Sequence, residues 1–200
     1  MKYLLSTLAL VLLFCSCKEN AEVGEYDNWK ERNQHYVDSI ATLATMGTDG
    51  WEKICAYYFN DTIEALSPNN SHYVYVKKME AGKGTYRPQY NDSIRVHYLG
   101  RLIPSDAYPQ GYVFDRSYAG YELNEATDVP TLFAVNSLVT GFTTATMHMV
   151  EGDRWKVVIP QELGYGVEAS GKIQGYSALL FDIKMSRIYR YKEDTNTDWH

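Results

Sequence analysis

The chain has 200 residues, enough for one domain with extensions and for a core that needs neither disulfide nor metal. A formal net charge of −6, with no clustered basic stripe to displace phosphate counterions, argues against a nucleic-acid partner. The 18 tyrosines suit half-buried strands and polar-tipped pockets, so a β-rich domain is expected.

Residues 1–16 read as a targeting device rather than as part of the fold. Lys2 supplies a positive start, and the apolar run to Phe14 is broken only by Ser6 and Thr7. At about 12 residues it is too short to span a bilayer, which takes roughly 20. Phe14-Cys15-Ser16-Cys17-Lys18 follows. A small residue before a Cys at this place resembles the lipobox of bacterial lipoproteins. The resemblance implies cleavage after Ser16, a lipid on Cys17, and anchoring in the cell envelope, at the outer membrane or the periplasmic face. Cys15 fits poorly because Phe14 is not small. The mature chain would then keep only Cys55, too few for an internal disulfide. Cys55 lies in an apolar stretch and is expected to be a small buried side chain.

Residues 17–70 are expected to hold a polar tether and an N-terminal helical segment. A helix is predicted over residues 27–46, capped by Asp27 or Asn28, with Trp29, Tyr36, Ile40 and Leu43 on one face. Gly47 to Gly50 should end it. The apolar stretch 51–59 suits either helix or strand. Residues 60–71 carry Asn-Asp, Ser-Pro and Asn-Asn, which is loop chemistry, and a domain boundary is placed there.

Beyond residue 71 the apolar period shortens towards 2. Ile94, Val96 and Tyr98 alternate with Arg95, His97 and Leu99, which places His97 on the solvent-facing side. Trp155, Val157 and Ile159 form a second such run, and Leu179, Phe181, Ile183 and Met185 a third. Between the first two, residues 136–149 suit one short helix through Phe142, Ala145 and Met149. The pattern predicts an α+β domain over residues 71–190, an antiparallel sheet packed on a single helix, followed by a polar tail at 191–200.

No zinc-protease, dithiol, serine-hydrolase or phosphate-loop motif occurs, and the five His have no metal partner at close spacing, so neither metal nor cofactor is expected. A succession of short motifs does stand out. Val96-His97-Tyr98-Leu99-Gly100 precedes Val113-Phe114-Asp115-Arg116-Ser117, then Pro130-Thr131-Leu132-Phe133-Ala134-Val135 and Leu138-Val139-Thr140-Gly141-Phe142. Val158-Ile159-Pro160, Leu163-Gly164-Tyr165-Gly166 and Leu179-Leu180-Phe181-Asp182-Ile183 complete it. In order and spacing this resembles the FKBP-type peptidyl-prolyl cis-trans isomerases, nearest to their exported bacterial branch, over residues 71–188.

The resemblance implies a twisted antiparallel sheet wrapped around one short helix, with an apolar pocket between them. Carried over by position, Tyr98, Phe114, Asp115, Tyr165 and Phe181 would be the catalytic residues. Leu138, Val139, Phe142 and Ile173 would bind substrate, with Phe142 as the floor. The expected partners are proline-containing segments of exported proteins, and the N-terminal helix is either a homodimerisation arm or a spacer packed on its own domain. Departures from the family pattern are Phe142 in place of Trp, a longer stretch between Gly100 and Phe114, another between Asp115 and Phe133, Gln174-Gly175 where Pro is frequent, and Ser170 in place of His. They leave a second reading open, a non-catalytic peptide-binding or chaperone lipoprotein, and a weaker third one, a sugar-binding lipoprotein with Tyr-rich loops.

Overall fold

The computed structural model describes residues 24–59, 69–120 and 122–191. The expected leader, Cys17, most of the loop assigned to a domain boundary and nearly all of the polar tail lie outside them. Helix α1, Trp29–Met46, is followed by strand β1, Trp51–Cys55. Then come β2 (Tyr73–Glu80), β3 (Ser93–Arg101), β4 (Val113–Arg116), β5 (Thr131–Ala134), helix α2 (Thr140–Thr146), β6 (Arg154–Ile159) and β7 (Leu179–Tyr189). The seven strands form one antiparallel sheet in the order β1-β2-β6-β7-β3-β4, with β5 also paired to β3. The FKBP-like α+β arrangement with an N-terminal helix is therefore present. The stretch that suited helix or strand is β1, and it pairs with β2 from the N-terminal side of the expected boundary.

Helix α1 starts two residues later than the sequence suggests. Asn28 takes the cap position in a left-handed conformation (φ 50°) without a side-chain cap bond. The Asp27 carboxylate instead accepts from the Gly24 N–H at 2.8 Å. Its end follows the sequence: Gly47 sits at φ 63°, and the N–H groups of Gly47 and Thr48 close onto Ala44 O and Leu43 O. The buried stripe is Trp29, Asn33, Val37, Ile40 and Ala41, with Tyr36 and Leu43 at its margin.

Residues paired directly across antiparallel strands point to the same face. The register thus puts Val74, Val76, Val157, Phe181, Ile183, Tyr98 and Gly100 on an inner face, and Tyr73, Tyr75, Trp51, Val158, Leu180, Asp182 and His97 on an outer one. Helix α2 covers the inner face, while α1 packs outside on β1, β2 and β6. Strand β2 is consequently buried on both faces from Tyr73 to Val76.

Uneven cover elsewhere on the sheet corrects two expectations. His97 has the outward parity the alternation gives, yet only 3 % of it is exposed. The connection from β4 to β5 brings Glu125 and Asp128 near it and sets Glu125 Oε1 3.5 Å from Lys184 Nζ. Burial holds the imidazole below its usual pKa, and its Nδ1 has no hydrogen-bond partner among the described residues. Cys55, expected to be buried, is half-buried near the end of β1, an edge strand covered less completely than β2.

Candidate active site

Helix α2 is only seven residues long and carries four threonines, poor helix formers in isolation. Its hydroxyls are absorbed locally: Thr143 Oγ1 donates to Val135 O at 2.8 Å and Thr146 Oγ1 to Phe142 O at 2.9 Å. Gly141 is required by close approach, since a Cβ there would stand 2.3 Å from Ile159 Cγ2. That contact seats the helix on β6 and directs Phe142 at the inner face, where it is almost fully buried.

Around Phe142 the rings form a connected cluster. Phe181 meets it edge to face at 5.0 Å between centroids and 88° between planes. Tyr98 lies 6.4 Å from both Phe142 and Phe181, and Phe114 packs at 90° on Phe181 at 5.5 Å. Each such pair contributes roughly 0.5–1.5 kcal/mol beyond burial. Gly100 makes room for two of the rings, because a Cβ there would be 2.6 Å from Phe114 and 2.8 Å from Phe181.

One polar pair is set into this apolar surface. The Tyr98 hydroxyl donates to Asp115 Oδ2 at 2.8 Å, and Asp115 Oδ1 accepts from the Arg116 N–H at 2.8 Å. Burial first, and then the Asp115 carboxylate, hold the Tyr98 phenol well above its ordinary pKa, so it stays a neutral donor. The Asp that follows a half-buried Phe in sequence thus has a definite partner.

Of the other expected site residues, Leu138 and Val139 are half-buried at the N-terminal approach to α2, and Ile173 is buried. Tyr165 stands apart from the ring cluster. It is 46 % exposed on the loop after Leu163 and close enough to Tyr98 to help raise that phenol's pKa. Phe133 is the residue the sequence reading left unassigned. It pairs with Ile94 across β5 and β3, shares the inner face, and lies 5.7 Å from Tyr98 and 6.5 Å from Phe142. Its shared parity with Thr131 and Val135, alternating with exposed Leu132 and Ala134, was the available signal. No group of three His, Cys, Asp or Glu able to hold a metal occurs among the described residues.

A twisted antiparallel sheet closed on one short helix, with a cluster of aromatic rings packed between them, is the architecture these residues build. Residues 84–186 match the family model for FKBP-type peptidyl-prolyl cis-trans isomerase, about half of the chain, and the chain belongs to that family. It is 37 % identical over 113 residues to the macrophage infectivity potentiator of Trypanosoma cruzi, covering 56 % of this chain and 51 % of that protein. It is also 37 % identical over 102 residues to the FKBP-type 22 kDa peptidyl-prolyl cis-trans isomerase of Escherichia coli, covering 50 % of this chain and 43 % of that one. The chain therefore spans about half the length of the curated relatives it matches. Among solved structures, a peptidyl-prolyl cis-trans isomerase from Pseudomonas syringae pv. tomato superposes with a TM-score of 0.56 at 22 % identity, over 80 % of this chain and 96 % of that one. The FkpA structure from Escherichia coli gives 0.58 at 23 % identity, over 82 % and 62 %. At these identities the two structures speak for the fold.

Proposed function

We propose that this chain is a peptidyl-prolyl cis-trans isomerase that assists exported proteins and is held in the cell envelope by a lipid on Cys17. The observation that carries the enzymatic part is the convergence of Tyr98, Phe114, Phe133, Phe142 and Phe181 on one surface with the Tyr98–Asp115 pair at its edge. Rotation about an X-Pro bond is opposed by amide resonance; the barrier in peptide bonds is about 18–20 kcal/mol. Twisting removes that resonance and makes the carbonyl oxygen less polar, so a dry aromatic surface favours the twisted form over the solvated planar one. Phe142 and Phe181 would seat the pyrrolidine, and Tyr165 would donate to a substrate carbonyl. Asp115, fixed by Tyr98, presents its remaining lone pairs beside the amide. Uncatalysed exchange takes tens of seconds, slow enough to hold up folding.

The deciding experiment is a protease-free exchange assay on a short peptide with an apolar residue before Pro. Wild-type chain should speed the exchange. Tyr165→Phe should lower the rate roughly threefold to tenfold, the worth of one hydrogen bond. Asp115→Ala should cost at least as much, because it leaves the Tyr98 hydroxyl unpaired, and Val139→Trp should abolish binding and turnover together. Peptide binding without exchange above background would replace this reading with a binding module, which Phe142 at the family's Trp position and the long loops favour. Phe142→Trp separates the two, since it should raise the rate of a weakened enzyme and leave a pure binder silent. For the anchor, mass spectrometry of membrane fractions should find lipid on Cys17, and Cys17→Ala should release the protein. Two copies meeting through α1 would show as a dimer in sedimentation.

A further inference from the structure

The loop that carries Tyr165 and Ile173 is weakly built from its own sequence. Between Leu163 and β7 it has a single isolated bridge, Ser170 with Ile173, and Gln174-Gly175 gives no proline to stiffen it. Tyr176 sits at φ 64°, a conformation costly for a residue with a Cβ. Its N–H donates to Gly166 O at 3.0 Å and ties the two limbs together.

What fastens this loop comes from α1, some fifty residues before the family-matched segment begins. Trp29 Nε1 donates to Ser177 Oγ at 2.9 Å in a buried bond, and Ser177 Oγ in turn donates to Gln174 O. The Ala178 N–H donates to Asn33 Oδ1 at 2.8 Å, also buried, while Asn33 Nδ2 donates to Trp29 O at 2.7 Å. Lys30 Nζ lies 5.1 Å from the centre of the Tyr176 ring. Buried bonds of this kind cannot be exchanged for water without loss, so each fixes a position as well as adding stability. Three consecutive residues, Tyr176, Ser177 and Ala178, are held by one helix face, three positions beyond Ile173.

We infer that α1 is a clasp for the active-site loop, with Asn33 and Trp29 as positioning residues that set where Ile173 and Tyr165 stand. The N-terminal segment is then a working part of the site rather than a spacer. This rests on the isomerase reading for its effect on turnover, but not for its effect on the loop.

The test uses the full chain with Asn33→Ala, Ser177→Ala, Trp29→Phe, the Trp29→Phe/Ser177→Ala pair, and Ile40→Ala as a control that loosens α1 far from the loop. Hydrogen exchange of amides 164–178 is followed by mass spectrometry alongside kcat and KM for a proline tetrapeptide. Asn33→Ala and Ser177→Ala should speed loop exchange and raise KM by about threefold to tenfold, with kcat within about twofold, as expected for one lost bond acting through position. The Trp29/Ser177 double variant should match Ser177→Ala, because that single already removes the bond Trp29 makes as well as the one to Gln174 O. Ile40→Ala should lower the denaturation midpoint while leaving loop exchange and KM at wild-type values. Unchanged loop exchange in Asn33→Ala overturns the clasp. So does an equal rise in Ile40→Ala, or a loop that exchanges faster with no change in KM. If the wild-type chain neither binds nor turns over the peptide, the isomerase reading falls, and the exchange data alone decide whether α1 holds the loop.

Discussion

The inner and outer faces of the sheet are both closed, but by different physics. Inside, α2 meets β3 and β7 through mutually packed rings, with one polar pair at the edge. Outside, α1 meets the sheet and the Gln174–Ala178 segment through an apolar stripe plus a few directed, buried hydrogen bonds. A ring cluster shares its energy among many contacts and adjusts to small changes. A hydrogen-bonded clasp has no substitute when one partner goes. The inner face should therefore be robust in shape, and the outer one decisive in position.

The largest effects should come from emptying either cover. Trp29→Ala and Phe142→Ala should each cost about 3–5 kcal/mol in urea denaturation, the usual range for deleting a buried large aromatic. If Trp29→Ala costs under about 1 kcal/mol, α1 is only resting on the sheet and the symmetry of the comparison is lost. Next comes overfilling: Gly100→Ala pushes a methyl into Phe114 and Phe181, and should destabilise by about 1–3 kcal/mol while weakening proline-peptide binding. Unaltered binding there would mean the rings move aside freely.

Smaller effects should appear in the pH dependence. His97 lies on the outer face with its pKa lowered, first by burial and partly offset by Glu125 and Asp128. The unfolded chain binds its proton more readily, so stability should fall as pH drops below about 6.5, until the folded-state pKa is reached. His97→Gln should flatten that part of the curve. Asp92 acts with the same sign in a lower pH window, as an acid rather than a base. Burial raises its pKa, but the N–H groups of Gln89 and Tyr191 and the Tyr86 hydroxyl outweigh it, and the net pKa is lowered. Its contribution is present above about pH 4 and lost as pH falls through the folded value. Asp92→Asn should remove that acid limb alone, read by thermal melts between pH 2 and 5.

By itself the sequence determined the alternation of β3, β6 and β7, the stop of α1 at Gly47, the place of α2, and a motif order specific enough to name the family. These are local patterns: a period of 2 or 3.6, a glycine at a helix end, a Phe-Asp pair at a fixed spacing. Only the tertiary structure decided which outward-pointing residues are covered. His97 has the parity of a solvent residue and becomes buried because a connection more than twenty residues away folds over it. Phe133 joins the pocket through its pairing with Ile94, and Trp29 reaches Ser177 across 148 positions. Nothing local to those residues encodes such neighbours. The contacts exist because segments far apart in sequence are packed on one sheet, and that arrangement is a property of the packed chain rather than of any segment of it.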